Sequence, residues 1–248
     1  MENFNERIDK ILSSLGLMSR KDAKKAALAR RITVDGVPVR DCSLRVGAAN
    51  KLCLDGKEVH YAKHTYLMMN KPEGFVCSTD DPKSPIVTEL LPEEYKRRDL
   101  FSIGRLDKNT TGLIILTDDG ALAHELLAPK KHVAKTYYLT TKEPISNETK
   151  NRFFEGVDIG NYVTAPALLE ITGEREGYIT ITEGKYHQIK RMFVALGNKV
   201  SSLERVNFGG INLDQALERG NFRVLTDEEL KKLRETPKRS LERFVQNA

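Results

Sequence analysis

The stretch GRLDKNTTGLIILTDDG, Gly104 to Gly120, sets one carboxylate, Asp107, in a tight polar loop directly ahead of an apolar run. A carboxylate can serve as a nucleophile without a metal. An aspartate in such a loop can equally serve as an Asx-type turn residue. The acid pair Asp118 and Asp119 stands beside Gly120 at a strand-to-helix turn, where turn chemistry accounts for both. The five histidines, His60, His64, His124, His132 and His187, form no H-x-x-x-H or H-E-x-x-H pair, so a zinc hydrolase is unsupported. Cys42, Cys53 and Cys77 are odd in number, far apart and without a C-x-x-C pair. They read as reduced thiols of a cytoplasmic protein, not as a zinc site or a disulfide framework. The phosphate-loop, dinucleotide and nucleophile-elbow patterns are also missing. The chain is therefore expected to work with side chains alone, with no cofactor and no metal.

These residues need a scaffold, and 248 residues with 40% hydrophobic and 30% charged side chains can build one large domain or two unequal ones. No apolar run approaches the roughly 20 residues of a membrane span, and MENFNERIDK has no apolar signal core, so neither a membrane nor export is expected. The net charge of +5 is unevenly placed. Residues 1–60 hold 12 Lys+Arg against 8 Asp+Glu, and the rest 28 against 27. Ile8, Ile11, Leu12 and Leu15 recur at helical spacing and Gly16 stops them. Ser19, with Asp22 three residues on, caps a second helix whose apolar positions are Ala23, Ala26, Ala27 and Leu28. Arg20, Lys21, Lys24, Lys25, Arg30 and Arg31 oppose one acid there, a bias that favours a phosphate backbone as partner over a merely solvated face. ITVDGVPV and LCLDGKEV read as hairpins on Asp-Gly turns.

A boundary is expected near Tyr61–Thr65. Beyond it TYLMMN, FVCS, LFSIG, LIILT, KTYYLTT and GYITITEG read as strands. GALAHELLAP, YHQIKRMFVALG and TDEELKKLRE read as helices, the last capped by Thr226 and Glu229. Strands and helices do not alternate regularly, which predicts an α+β fold with a mostly antiparallel sheet. Nothing resembles a heptad seam, so a monomer is expected.

In order, these motifs resemble those of a known family. GRLDKNTTG is similar to the G/H-R-L-D-x-x-T-[TS]-G loop of RNA pseudouridine synthases, which carries a nucleophilic aspartate. NKPEGFVCS resembles the motif before it, KTYYL the K-x-Y motif, EGKYHQIKRMFVALG the third motif, and VSSLERVNFGGINL the strand that follows. The N-terminal RIDKILSSLGLMSRKDAKKAALARRITVDGVPV is similar to the alpha-L RNA-binding module of a small-subunit ribosomal protein. The resemblance implies a module over 1–60, a catalytic domain over 61–233 and a tail over 234–248. The YHQIKRMF form is closest to the RsuA-like enzymes, implying isomerisation of uridine to pseudouridine in 16S ribosomal RNA of the uridine-516 type. A large-subunit (23S) enzyme of the same family, or a non-catalytic RNA-binding or ribosome-assembly factor, stays open. The partner would be ribosomal RNA or an assembling subunit. Carried over, Asp107 is the nucleophile, Tyr137 stacks on the target base, Leu203 packs beneath it, and Arg105 supports the loop and holds nearby nucleotides. Lys190 pairs with Asp107, with Arg191 a rival because much of the wider superfamily has Arg at that place. Neighbours on a helix point about 100° apart, so periodicity does not choose between them. Tyr138, on the other side of the strand from Tyr137, is the expected core tyrosine.

Overall fold

The computed structural model describes residues 5–47, 49–59, 61, 64–78, 81–96 and 98–246, with side chains as far as Thr236. His60, residues 62 and 63 of the expected boundary, and the tail side chains from residue 237 lie outside the described residues. Two compact units form: Met1–Thr65 with Leu91–Leu100, and Tyr66–Leu90 with Phe101–Ala248.

In the first unit β1 (Asn5–Arg7) leads into α1 (Ile8–Ser14) and α2 (Arg20–Leu28). Then come β2 (Ile32–Val34), β3 (Val37–Pro38), β4 (Arg45–Gly47), β5 (Leu52–Leu54), β6 (Lys57–Glu58) and the short α3 (Glu93–Lys96). Four strands form one sheet in the order β3-β2-β5-β6, and β1 pairs with β4. Ile8, Ile11 and Leu12 pack with Ala23, Ala26 and Ala27 of α2 over Ile32 and Leu52. The alanines let the two helix backbones approach closely. Gly16 ends α1 at φ 69°. Ser19 caps α2 by accepting from the Asp22 N–H at 3.1 Å, and its hydroxyl donates to Asp22 Oδ2 at 2.6 Å. The Asp35-Gly36 and Asp55-Gly56 pairs all have φ between 51° and 81°, as two-residue hairpins of the primed type require. One expectation fails here. Leu28 is 71% exposed, because the buried stripe of α2 is Ala23, Ala26 and Ala27 and the next residue turns about 100° off it.

The second unit is built on β7 (Tyr66–Lys71), β8 (Phe101–Ile103), β9 (Thr111–Thr117), α4 (Gly120–Leu127), β10 (Lys135–Thr141) and α5 (Asn147–Glu155). It continues with β11 (Leu168–Gly173), β12 (Glu176–Ile181), α6 (Gln188–Ala195), β13 (Val200–Phe208), β14 (Ile211–Asn212), β15 (Phe222–Val224) and α7 (Asp227–Gln246). One mixed sheet runs β11-β12-β10-β13-β9-β7-β15, with β14 added to β13 and β8 to β9. Every pair is antiparallel except β13 with β9. Both β7 and β9 are buried along their whole length. That is why LMM and LIIL are continuous apolar runs instead of alternating ones. Met68 of β7 and Leu113 and Ile115 of β9, with Tyr66, Ile103, Leu122, Leu126 and Phe208, fill the core under α4 and α7.

Asp119 belongs to this frame: it caps α4 by accepting from the Leu122 N–H at 3.0 Å, and it accepts from the Tyr66 hydroxyl at 2.6 Å. Thr226 and Glu229 form a reciprocal capping box on α7, and the Arg223 guanidinium pushes the Glu229 carboxyl down to about 2. The α7 backbone then runs on to Gln246, past the point where the sequence reading starts a tail. FVCS, read as a strand, makes only an isolated bridge from Val76 to Ile86, because Pro85 and the turn at Gly74 leave it no neighbour to extend along.

The parallel join of β9 and β13 has a steric condition. Gly112 sits at φ 97°, opposite Arg205, and a Cβ there would lie 2.3 Å from the Arg205 carbonyl oxygen. Both the backbone conformation and the approach demand glycine. Gly112→Ala is expected to cost about 4 kcal/mol or more, measured by urea denaturation. A loss under about 1 kcal/mol refutes the steric account.

Candidate active site

The loop 104–110 leaves β8 through Gly104 at φ 75° and closes with the Thr110 N–H donating to the Asp107 carbonyl at 3.0 Å. Several groups fix it from behind. Lys71, fully buried at the end of β7, donates from Nζ to the carbonyls of Thr110 (2.8 Å), Pro72 (3.0 Å) and Lys108 (3.4 Å). Burial pushes its ammonium down, while the Cys77 and Asp107 side chains pull the other way. The Leu106 N–H points at Cys77 Sγ at 3.4 Å, and the Gly74 N–H donates to the Lys108 carbonyl at 2.9 Å. The loop is thus held by its own carbonyls and amides, and the Asp107 side chain is left to face outward.

What it faces comes from α6. Ile189, Met192 and Phe193 are buried, and Phe193 meets Phe153 of α5 edge-on at 4.9 Å, so the rotation of α6 is fixed. That rotation carries Lys190 to Asp107: Nζ donates to Oδ2 at 2.9 Å and to Asn109 Oδ1 at 2.6 Å. Arg191 turns away and donates from Nη2 to the Ile159 carbonyl (2.5 Å) and Asn161 Oδ1 (2.6 Å). Between the two cations the sequence left open, the structure sets Lys190 beside the carboxylate. His187 Nε2 lies 3.6 Å from Asp107 Oδ1. This histidine starts α6 in the left-handed region at φ 51°. Its loop is tied by Gln188, which accepts from the Lys185 N–H and donates to Glu183 Oε1.

Asp107, Lys190 and His187 line a cavity of about 90 Å³ with Arg105, Thr110, Tyr137, Ile181 and Leu203. Arg105 is exposed, and Tyr137 and Leu203 are each 7% exposed. The tyrosine assignment needs correcting. Tyr137 is the enclosed one, while Tyr138 is half-buried on the opposite face, donating to Glu176 and tilted against Tyr178 at 5.3 Å. The face carrying Leu203 and Tyr137 is closed by α6, and the other face is partly open. Thr110 Oγ1 is buried with no hydrogen-bond partner among the described residues. The arrangement offers one carboxylate engaged by a lysine on one oxygen, an aromatic wall and apolar packing. That suits a flat, uncharged ring beside a nucleophilic or basic oxygen.

The six cationic positions of the first unit, Arg20, Lys21, Lys24, Lys25, Arg30 and Arg31, are all exposed. Arg31 is committed to a two-pronged pair with Asp55 (2.7 and 2.6 Å), and Lys25 lies 3.5 Å from Asp22. Sequence reasoning missed Lys71, His187 and Arg205. Lys71 was visible only as a lysine closing an apolar strand. Arg205, 1% exposed, donates from Nε to the Leu113 carbonyl at 2.8 Å and stands over the Phe208 ring, bracing β13 against β9.

The sequence pattern of the RNA pseudouridylate synthase family matches residues 65–195, and that of the S4 domain matches residues 6–52. The chain belongs to the RNA pseudouridine synthase family. It is 45% identical over 235 residues to the uncharacterized RNA pseudouridine synthase YtzG of Bacillus subtilis, covering 92% of this chain and 98% of that one. It is 40% identical over 227 residues to ribosomal small subunit pseudouridine synthase A of Escherichia coli, covering 90% and 98%. A crystal structure of a pseudouridylate synthase superposes with a TM-score of 0.66 at 37% identity, covering 92% of this chain and 99% of that one. The α+β fold with a mostly antiparallel sheet and the enzyme class, an isomerase, agree with the reading from sequence. No helix among the described residues is long and apolar enough to cross a membrane.

Two tests address the buried lysines of this unit. Lys71→Met takes the ammonium donor from the loop carbonyls of Lys108 and Thr110, leaving Lys108 only the Gly74 N–H, and a small displacement of Asp107 is expected to lower kcat about a hundredfold while the circular dichroism stays native. An unchanged kcat removes Lys71 from the positioning of the loop. Lys135, at the start of β10, donates to the Val133 carbonyl. Burial, reinforced by Arg205, pushes its ammonium down to about 8 from 10.5. Between those values the folded chain binds fewer protons than the unfolded one, so stability rises with pH. This contribution is complete above the unfolded value and lost as pH falls through about 8. Relative to Lys135→Met, the wild type is expected to gain on the order of 1–3 kcal/mol between pH 8 and 10.5. Parallel stability curves for the two proteins contradict this.

Proposed function

We propose that this enzyme converts uridine to pseudouridine in small-subunit ribosomal RNA, at a 16S site of the uridine-516 type, with Asp107 as nucleophile. The observation that carries the reading is the Asp107–Lys190 pair at 2.9 Å in a cavity walled by Tyr137 and Leu203. The likeness to the E. coli small-subunit enzyme over nearly the full length of both chains supports the choice of RNA. The target uridine leaves its stack at a cost of a few kcal/mol, which the Tyr137 face and the basic side chains offset. The bond from ribose C1′ to N1 breaks as an Asp107 oxygen bonds to C1′, the uracil turns, and C5 bonds to C1′ as the Asp107 oxygen leaves. N1 gains a proton and C5 loses one, so atoms balance with no redox step and no added group. The Lys190 ammonium sets a positive charge against the carboxylate at 2.9 Å. Arg105 at the mouth holds the neighbouring strand, and the exposed cations of α2 grip RNA phosphates. Such a substrate places the work in the cytoplasm, on ribosomal RNA or an assembling subunit.

Asp107→Asn is expected to lower isomerisation by at least about 10³ while leaving RNA binding intact. Activity like that of the wild type removes Asp107 from its role. Pseudouridine mapping of both ribosomal RNAs, with and without the protein, tests the substrate. One modification lost from the small-subunit RNA is the expected result, and a loss confined to the large-subunit RNA transfers the assignment there.

A further inference from the structure

Tyr186 plays no part in the site as described so far, yet it is the most exposed large apolar side chain among the described residues, at 76%. It sits on the loop that leads into α6. Its ring lies nearly flat on His187, with centroids 3.9 Å apart and planes at 19°. His187 is in turn 3.6 Å from Asp107. One face of the tyrosine is therefore backed by a ring that abuts the carboxylate, and its outer surface is left to solvent. The loop that carries both rings is rigid: Gln188 bonds the Lys185 N–H and Glu183, and the Lys185 ammonium stands over the Tyr162 ring at 4.7 Å. Past His187 the cavity around Asp107 continues into an open groove of about 490 Å³ along α6, lined by His187, Lys190, Arg191 and Val194 and by Asp158 and Ile159 across from them. Two cations and a histidine face one carboxylate there.

An exposed aromatic costs solubility and gives the core nothing. Here it stacks on His187, which lines both the cavity and the groove. Single-stranded RNA is held by aromatic faces for its bases and cations for its backbone, and this rim supplies both within a few residues. We propose that Tyr186, backed by His187, is a stacking shelf for the base next to the target uridine, and that the groove along α6 takes the adjoining phosphate beside Arg191. The proposal rests on the RNA reading given above. It makes Tyr186 a substrate-contacting residue for the flanking nucleotide, so Tyr186 contributes to the choice of site. The shelf holds the neighbour in place while the uridine turns out of the stack.

The test uses the full chain carrying Asp107→Asn, which binds RNA without turning it over, and a fluorescent pentanucleotide with one central uridine. Anisotropy titrations at one fixed salt concentration compare Tyr186, Tyr186→Phe and Tyr186→Ala. Matched strands carry an abasic nucleotide on the 5′ or the 3′ side of the uridine. Stacking predicts that Tyr186→Ala weakens binding of the intact strand about tenfold and that Tyr186→Phe stays within about twofold. It further predicts that Tyr186→Ala loses its effect on one of the two abasic strands, since the partner base is already gone. No weakening by Tyr186→Ala, or the same weakening on all three strands, overturns the shelf. Because Tyr186 is exposed, the alanine variant folds as the parent does, which a melting curve checks. Failure of the underlying reading shows separately, as isomerisation that survives Asp107→Asn in an otherwise wild-type chain; the binding cycle does not depend on turnover.

Discussion

The constraint on which the second unit turns is the placement of one carboxylate, Asp107, in a partly buried cleft. Asp107 needs a cation close by, and it needs its backbone held by something other than its own side chain. A turn aspartate spends its oxygens on nearby N–H groups. Here Oδ2 is engaged by Lys190 and Oδ1 faces His187. The usual work of such a side chain in the loop has passed to Lys71, Cys77 and the Gly74 amide. The sheet order follows from the same need. The loop must emerge beside β13, which carries Leu203 and Arg205, and the parallel join at Gly112 puts it there.

Burying Lys71 is expensive, and the depressed basicity of its ammonium is the sign of that cost. An apolar side chain would pack at lower cost but would take this donor from the Thr110 and Pro72 carbonyls and leave Lys108 only the Gly74 N–H. The ammonium offers three donors from one point, matched to the carbonyls of Pro72, Lys108 and Thr110. The interaction therefore specifies the loop's position more than it adds stability. Arg205 does the same on the neighbouring strand, with its guanidinium on the Leu113 carbonyl and over the Phe208 ring.

Much of this was legible in the chain itself, and the physical reasons are specific. Asp-Gly pairs force positive φ, so the hairpins of the first unit could be placed from sequence. The caps at Ser19 and at Thr226 with Glu229 are local hydrogen bonds, and local bonds are written in neighbouring residues. FVCS has strand composition, but a strand needs a partner, and partners are set by the whole sheet. Leu28 and Tyr138 show the same limit, since the exposed side of an element depends on what packs on the other. Lys71 and Arg205 were hidden because a lone cation at the end of an apolar run gives no sign of which carbonyls will surround it. Asp107 stood out only through the ordered motifs, as its own loop reads equally well as a turn.

The choice of lysine at 190 bears on how the carboxylate can react. A guanidinium pairs with a carboxylate as a fork, taking both oxygens. The Lys190 ammonium reaches Oδ2 alone and uses a second donor on Asn109, so it ties the carboxylate to its own loop without covering Oδ1. Attraction at this distance, in a cleft that leaves both side chains about a quarter exposed, is on the order of a few kcal/mol. A single-point contact loosens by a small shift of one flexible chain, where a fork would have to break two bonds. Tyr137 and Leu203 wall the same cavity beside Asp107. The rotation of α6, fixed by Phe193 on Phe153, therefore sets where Lys190 meets the carboxylate as much as how the helix packs.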